Sequence, residues 1–237
     1  MKQTFLVAIP AIAFVIGSYI IGSNYSYRYK NNEIITVTGL AEENFVSDLI
    51  VWDLNYSRKA MTIKEAYAAL KKDEKNVLDY LNKNGILESE INVSAVNTDE
   101  LYNYTNDGRQ FLGYELSQRI TIRSTDLEKV EVISKKVTEL LDQDININSY
   151  SPSYYYTKLG DLKHDLLKRA SEDGKKRAES IATSSGEKLK GLKKANMGIF
   201  QITGKDSNED YSWGGTFNTS SKEKTASITV KMEFKID

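Results

Sequence analysis

His164 is the only imidazole in this 237-residue chain, and there is no cysteine, so the groups able to do acid–base, nucleophilic or metal chemistry are few. His164 lies opposite Leu162 on a helical stretch and faces solvent. Asp161 and Asp165 stand near it but do not share its face well enough to complete a metal site. A serine nucleophile would need His164 as its base, and no nucleophile-elbow motif is present. The paired carboxylates Asp99 with Glu100 and Glu42 with Glu43 have the density of ordinary surface charge rather than of a glycosidase pair. Absent thiols exclude thiolate catalysis and thiolate metal sites. No glycine-rich loop follows a strand and opens a helix, as phosphate binding would require. The expectation is a protein that is not an enzyme, with no catalytic residue, no metal site and no cofactor.

Aromatic side chains offer more than the titratable ones. Tyr102, Tyr104 and Phe111 cluster around Asn106-Asp107-Gly108, a reversal signal because those residues tolerate positive φ. Gly204 to Glu223 is a long polar, glycine-rich loop carrying Tyr211, Trp213 and Phe217, and loops of that length within a compact domain are usually functional or disordered. These six are the candidate interaction residues. The alternative folds their rings back over a sheet as cross-strand packing, and both stay open. Tyr150, Tyr154, Tyr155 and Tyr156 suit a strand edge or a subunit contact. Lys168, Arg169, Lys175, Lys176, Arg177, Lys188, Lys190, Lys193 and Lys194 make one segment locally basic. Interleaved Glu172, Asp173, Glu179 and Glu187 favour a solvated face there over contact with anionic lipid or an acidic partner. A net charge of −1 excludes bulk attraction to nucleic acid.

The elements that must position these residues follow from alternating periods. Ile34 to Gly39 reads as a short opening strand. Val46, Ile50, Trp52, Leu54 and Tyr56 recur every second residue, Asp48 apart, as a longer strand. Thr62-Ile63-Lys64-Glu65 is a capping-box pattern at a helix start, with Ile63, Ala66, Leu70, Val77 and Leu81 as its buried stripe and Gly85 as its left-handed stop. Ile91, Val93 and Ala95 begin a strand toward Tyr104, and the returning strand carries Tyr114, Leu116, Ile120 and Ile122. A second capping pattern, Thr125 to Glu128, opens a helix with Val130, Ile133, Val137 and Leu140 inward. Ile145 and Ile147 begin another strand. The order strand, helix, strand, strand, helix, strand is the split βαβ arrangement of ferredoxin-like folds, with antiparallel pairing. A third helix, Asp161 to Ser185, buries Leu162, Leu166, Ala170, Gly174, Ala178 and Ile181. Ile199 and Ile202 lie in a short strand. Ala226, Ile228, Val230, Met232, Phe234 and Ile236 alternate with polar residues as a half-buried final strand. The fold class is α+β: a ferredoxin-like core, a long third helix and C-terminal strands, behind an N-terminal hydrophobic helix.

Phe5 to Ile21 is the one long uncharged apolar run, standing behind Lys2. About 17 residues at about 1.5 Å each span about 26 Å, between a signal-peptide core and a comfortable membrane helix. Ala11-Ile12-Ala13 matches a cleavage pattern but lies too early in the run, and Ile20 and Ile21 occupy the positions that a later cut would need small. Residues 1–30 are therefore expected to be an uncleaved membrane anchor, with a removed signal as the alternative, and residues 31–237 one folded, exported domain.

Three stretches carry a resemblance. Ile35-Thr36-Val37-Thr38-Gly39 resembles the opening strand of the SIMPL domain family of bacterial envelope proteins. Gly113 to Ile122 (GYELSQRITI), with Asp126 beyond, is similar to that family's central strand. Ala170 to Ala182 (ASEDGKKRAESIA), then Gly186, resembles its long helix, which typically reads A-x-x-D-A-x-x-R-A-x-x-I-A. Here Gly174 replaces an alanine, which loosens the helix by about 1 kcal/mol unless close packing requires it. The resemblance implies secreted, periplasmic or membrane-attached proteins, some described as oxidative-stress defence proteins or surface antigens, and it carries over no catalytic residue. Asp173 and Arg177 are four apart on one helix face, a structural pairing. Two functions are thereby expected: a membrane-anchored structural or binding module that forms homo-oligomers or captures an envelope partner, or a stress-protective holdase. The few methionines, with Met61, Met197 and Met232 at core-like positions, argue against a sacrificial oxidation sink.

Overall fold

The computed structural model describes residues 14–23, 33–105, 108–210 and 212–237. Helix α1 covers residues 14–23. The remainder of the Phe5–Ile21 run lies outside the described residues, among which no helix is long and apolar enough to cross a membrane. The chain divides into two compact units. Unit one comprises residues 1–43, 161–200 and 227–237, and unit two comprises residues 44–160 and 201–226.

Unit two contains the ferredoxin-like core. Its strands are β2 (Leu49–Ala60), β3 (Ile91–Val93), β4 (Asn97–Thr105), β5 (Gly108–Ser124), β6 (Asn146–Ser149) and β7 (Ser153–Tyr155). The sheet order is β3-β5-β2-β6, with β4 also on β5 and β7 also on β2, and every described pairing in it is antiparallel. Helices α2 (Ile63–Lys83) and α3 (Leu127–Lys136) supply Ala66, Leu70, Val77, Leu81, Val130 and Ile133 to one core with Ile50, Trp52, Leu54, Tyr56, Leu116, Ile120 and Ile122. The anticipated split βαβ order is thus observed, with its central strands β2 and β5 zipped in register from Ile50↔Ser124 to Ala60↔Tyr114.

Unit one takes helix α4 (Leu159–Ser184), β8 (Leu189–Met197) and most of β1 (Ile34–Val46) and β10 (Glu223–Ile236). The strand order is β1-β10-β8, and β9 (Gln201–Gly204) also pairs with β10. β10 alternates with Ala226, Ile228, Val230, Met232 and Phe234 buried, though Ser227 is buried as well and Ile236 only half-buried. The helix meets this layer through small residues. A methyl group added to Gly39 of β1 would lie 2.0 Å from the Ala170 carbonyl oxygen and 2.6 Å from the Gly174 nitrogen. One added to Gly174 would lie 2.1 Å from the Met232 methyl. Close packing is therefore the reason for glycine at 174.

Several local expectations need correction. β1 runs to Val46 rather than stopping at Gly39, and β2 starts afresh at Leu49. Between them Asp48 turns its carboxylate to the Thr157 N–H and hydroxyl, both at 2.7 Å. The strand from Ile91 toward Tyr104 breaks at residues 94–96 into β3 and β4. Thr62 does cap α2, accepting from the Glu65 N–H, but Glu65 takes the Thr62 hydroxyl rather than its backbone N–H. Ile63 is exposed, while Asp73 joins the buried stripe. Asp126, not Thr125, caps α3 by accepting from the Lys129 N–H. On α4 the stripe ends on buried Ala182, leaving Ile181 47% exposed, because four-residue steps from Ala170 reach 182 and not 181. Ile199 is exposed and outside β9. Met61 and Met197 are exposed, and of the three methionines placed in the core only Met232 is there.

Candidate functional site

The five described candidate residues lie in two places, a hairpin and a loop, both in unit two. Tyr102 and Tyr104 are on β4 and Phe111 on β5, paired Tyr102↔Phe111 and Tyr104↔Arg109. A β-bulge between Leu101 and Tyr102 puts Gly113 at φ +122°, where its missing Cβ would strike the Ala60 carbonyl oxygen at 2.5 Å. The bulge brings Phe111 edge-on to Tyr102 (centroids 5.5 Å apart) and to Tyr114 (5.2 Å). Arg109 lies 3.3 Å from the Tyr102 ring centre, and the Tyr102 hydroxyl donates to Glu100. Cross-strand packing therefore accounts for Tyr102 and for part of Phe111, whereas Tyr104 remains largely exposed. Asn106 and Asp107 lie outside the described residues.

The loop from Gly204 to Glu223 is built on a buried polar network. Lys224, only 2% exposed, sends its Nζ into the loop to donate to the Asn218 carbonyl and, at 3.4 Å, to its Oδ1. Asn218 Nδ2 donates to Glu209, whose other oxygen accepts the Gly204 N–H at 2.9 Å. Asn218 Oδ1 also accepts the Ser221 N–H at 2.8 Å. Gln201 of β9 holds the far side: its Nε2 donates to the Ser212 carbonyl at 2.9 Å and its Oε1 accepts the Thr216 N–H. A parallel bridge, Ile202 with Phe217, adds N–H bonds of 2.7 Å from Ile202 to Thr216 and 2.9 Å from Asn218 to Ile202.

Charge follows from this burial. Desolvation pushes the Lys224 amine down to about 8, opposed by the field of Glu209. The Gly204 N–H and the Asn218 amide hold the Glu209 carboxyl below its usual range. On this base Trp213 stands 97% exposed and Phe217 is more than half exposed. Tyr211 lies outside the described residues. No ring contact joins Trp213 or Phe217 to the hairpin aromatics among the described residues.

The network was missed although half of it had a signal. Lys224 sits two residues before Ala226 in the alternating run, hence on the inward face. Asn218 and Glu209 carried none, since their role depends on the path of the loop. A second buried group was equally readable. Asp73 falls between Leu70 and Val77 on the α2 stripe, and it forms a bidentate pair with Arg58, whose NH1 also reaches Asp144 at 2.9 Å. Tyr150 is exposed, and Tyr154 and Tyr155 sit in β7 against β2. His164 is exposed on α4, and no group of three potential metal ligands occurs among the described residues. The basic segment is partly paired: Arg169 with Glu43 of β1 and with Asp165, Lys175 with Glu179, Arg177 with Asp173, and Lys190 with Asp237.

An antiparallel ferredoxin-like core, an α4 layer packed through glycine and a stapled loop that exposes Trp213 together define an α+β protein. The family model SIMPL, described as a protein of unknown function (DUF541), matches residues 35–234, and the chain belongs to that family. It is similar to the 26 kDa periplasmic immunogenic protein of Brucella melitensis biotype 1, with 26% identity over 160 residues. The match covers 64% of this chain and 61% of that relative. The protein of the same description from Brucella abortus strain S19 matches to the same extent. Among solved structures, the de novo designed protein Foldit4 aligns over 43% of this chain and 93% of its own, at 16% identity and with a TM-score of 0.19.

Proposed function

We propose that this chain is a non-catalytic binding module of the cell envelope, exported, held at a membrane by its N-terminal apolar segment, and self-associating through its exposed aromatics. Export is supported by the apolar run behind Lys2 and by the periplasmic description of the Brucella relatives. The observation that carries the binding role is Trp213, 97% exposed on a loop pinned from beneath by Lys224, Asn218 and Glu209. The loop backbone is already ordered by these bonds, so less backbone freedom is lost when the ring makes contact. Tyr104 and Phe111 on the hairpin provide a second, smaller apolar surface.

Light scattering on size-exclusion fractions of the full chain in detergent tests this reading. A discrete oligomer is expected, and Trp213→Ser with Phe217→Ser should dissociate it. An unchanged mass in that double variant rules out the loop as the self-association surface, and a monomer in the parent chain rules out self-association itself.

A further inference from the structure

β1 is an edge strand, with β10 on one side and no described strand on the other. Alternate residues of an extended strand direct their N–H and C=O to the same edge. The Glu33 carbonyl accepts from the Ile236 N–H at 3.1 Å, so odd-numbered residues face β10. The even-numbered ones face outward, and α4 caps two of them. Asp173 accepts the Leu40 N–H at 3.0 Å, and Arg169 donates to the Glu42 carbonyl at 2.8 Å. Thr36 and Thr38 have the same outward parity, and no α4 side chain takes their backbone groups among the described residues.

Beside those two threonines the structure has a groove. It has a volume of about 550 Å³ and is lined by Thr36, Val37 and Thr38 of β1 and by Lys176, Arg177, Ser180 and Ile181 of α4. A neighbouring depression of about 570 Å³ shares Lys176 and Ser180 and continues past Glu179, which is engaged by Lys175, to Thr183 and Ser184. From Lys176 to Ser184 the helix advances about 12 Å at about 1.5 Å per residue, the length of roughly four extended residues. Ile181, displaced from the buried stripe, leaves an apolar wall in the groove. Arg177 is engaged by Asp173, whereas Lys176 makes no salt bridge among the described residues.

We propose that this groove binds an extended acidic segment of another protein by strand addition. The backbone of that segment pairs with the outward N–H and C=O groups of Thr36 and Thr38, an apolar side chain covers Ile181, and a carboxylate meets Lys176. Capping of the edge at Leu40 and Glu42 limits the docked segment to the Thr36–Thr38 end. The other edge of the same sheet, β8, carries Lys190, Lys193 and Lys194 along an exposed strand, a pattern that discourages pairing.

The test uses the full chain in detergent and labelled, end-blocked heptapeptides alternating valine and serine, with one serine replaced in turn by glutamate. Fluorescence anisotropy is expected to find a member of the set binding with Kd below about 1 mM, and about tenfold more weakly once its glutamate becomes glutamine. Lys176→Glu should weaken binding at least as much, while Lys194→Glu on β8 should leave it unchanged. Thr36→Pro removes one outward N–H at a position where an edge strand tolerates proline, and should abolish binding with the circular dichroism spectrum retained. Should that variant not fold, amide exchange of Thr36 and Thr38 in the parent chain replaces it, with protection expected on saturation with peptide. Failure of every peptide to bind, equal losses in the two lysine variants, or unprotected threonine amides overturns the proposal. A fall in scattering mass on adding peptide would show that a second copy occupies the edge, and overturns it as well.

Discussion

In unit two, β2 alone points Ile50, Trp52, Leu54 and Tyr56 inward, and two helices close over them with leucine, valine and isoleucine. In unit one, α4 buries Leu162 and Leu166 near its start, but from Ala170 onward it meets its layer through Ala170, Gly174, Ala178 and Ala182, with the Gly39 backbone against the helix backbone. The first arrangement fills volume with large side chains, which have rotamers to adjust. The second depends on two main chains in near contact, and main chains do not move aside. Sensitivity to an added atom should therefore be greatest where the least side-chain volume is buried.

Gly39→Ala is the most severe test of that difference. Its methyl meets backbone atoms on two residues of α4, so about 3 kcal/mol or more should be lost, read as a fall in the urea midpoint followed by circular dichroism. Gly174→Ala should cost less. Its methyl meets the movable end of Met232 and lies a tight 3.2–3.3 Å from the Gly39 backbone, while the helix regains about 1 kcal/mol of propensity. Equal losses at the two glycines would break the distinction between backbone and side-chain contact.

Asp73→Ala probes the polar weak point of unit two. Arg58 would keep Asp144 but lose its bidentate partner beneath α2, and about 2–3 kcal/mol should go, less than for a fully enclosed pair because Arg58 is partly solvated. Fluorescence of the buried Trp52 reports the shift. A change below about 0.5 kcal/mol would mean that the pair merely offsets its own desolvation.

Particular residues show how far this organisation was legible. The strand from Ala226 to Ile236, the α2 stop at Gly85 and the split βαβ order are visible because each depends on local periodicity or backbone conformation. β8 was not, because Leu189 to Met197 is exposed on both faces and has no alternation to detect. The glycine contact was half legible: the family pattern marks Gly174 as unusual, but only the fold places Gly39 against it. Of the candidate site, Trp213, Phe217, Tyr102, Tyr104 and Phe111 were found as exposed or cross-strand aromatics. The Asn218–Glu209 staple was not, since a loop's internal bonds follow its path and not its composition.

Lys224 gives that staple a pH signature. Burial holds its amine near 8, while in the unfolded chain it returns to its ordinary 10.5. Between those values the unfolded chain binds more protons, so stability should rise with pH from about 8 upward. Tyr154, pushed up to about 12 chiefly by burial and further by Glu131, acts oppositely above its ordinary 10.0, so the window to read is pH 8 to 10. Urea midpoints of the parent chain should climb across that window relative to Lys224→Met. Parallel curves would mean that Lys224 is hydrated in solution and that the loop is not stapled from beneath.

Trp213→Ser should have the smallest effect on stability, within about 0.5 kcal/mol, because a side chain 97% exposed gives up almost no burial when it is removed. This near-zero result sharpens the contrast with Gly39, where a single methyl is expected to be costly. It also separates presentation from support: if the ring is only displayed by the loop, its loss should change association while leaving the pH dependence due to Lys224 intact. A loss above about 1 kcal/mol would instead show that Trp213 packs against the protein in solution, and the aromatic surface would have to be sought on the hairpin at Tyr104 and Phe111.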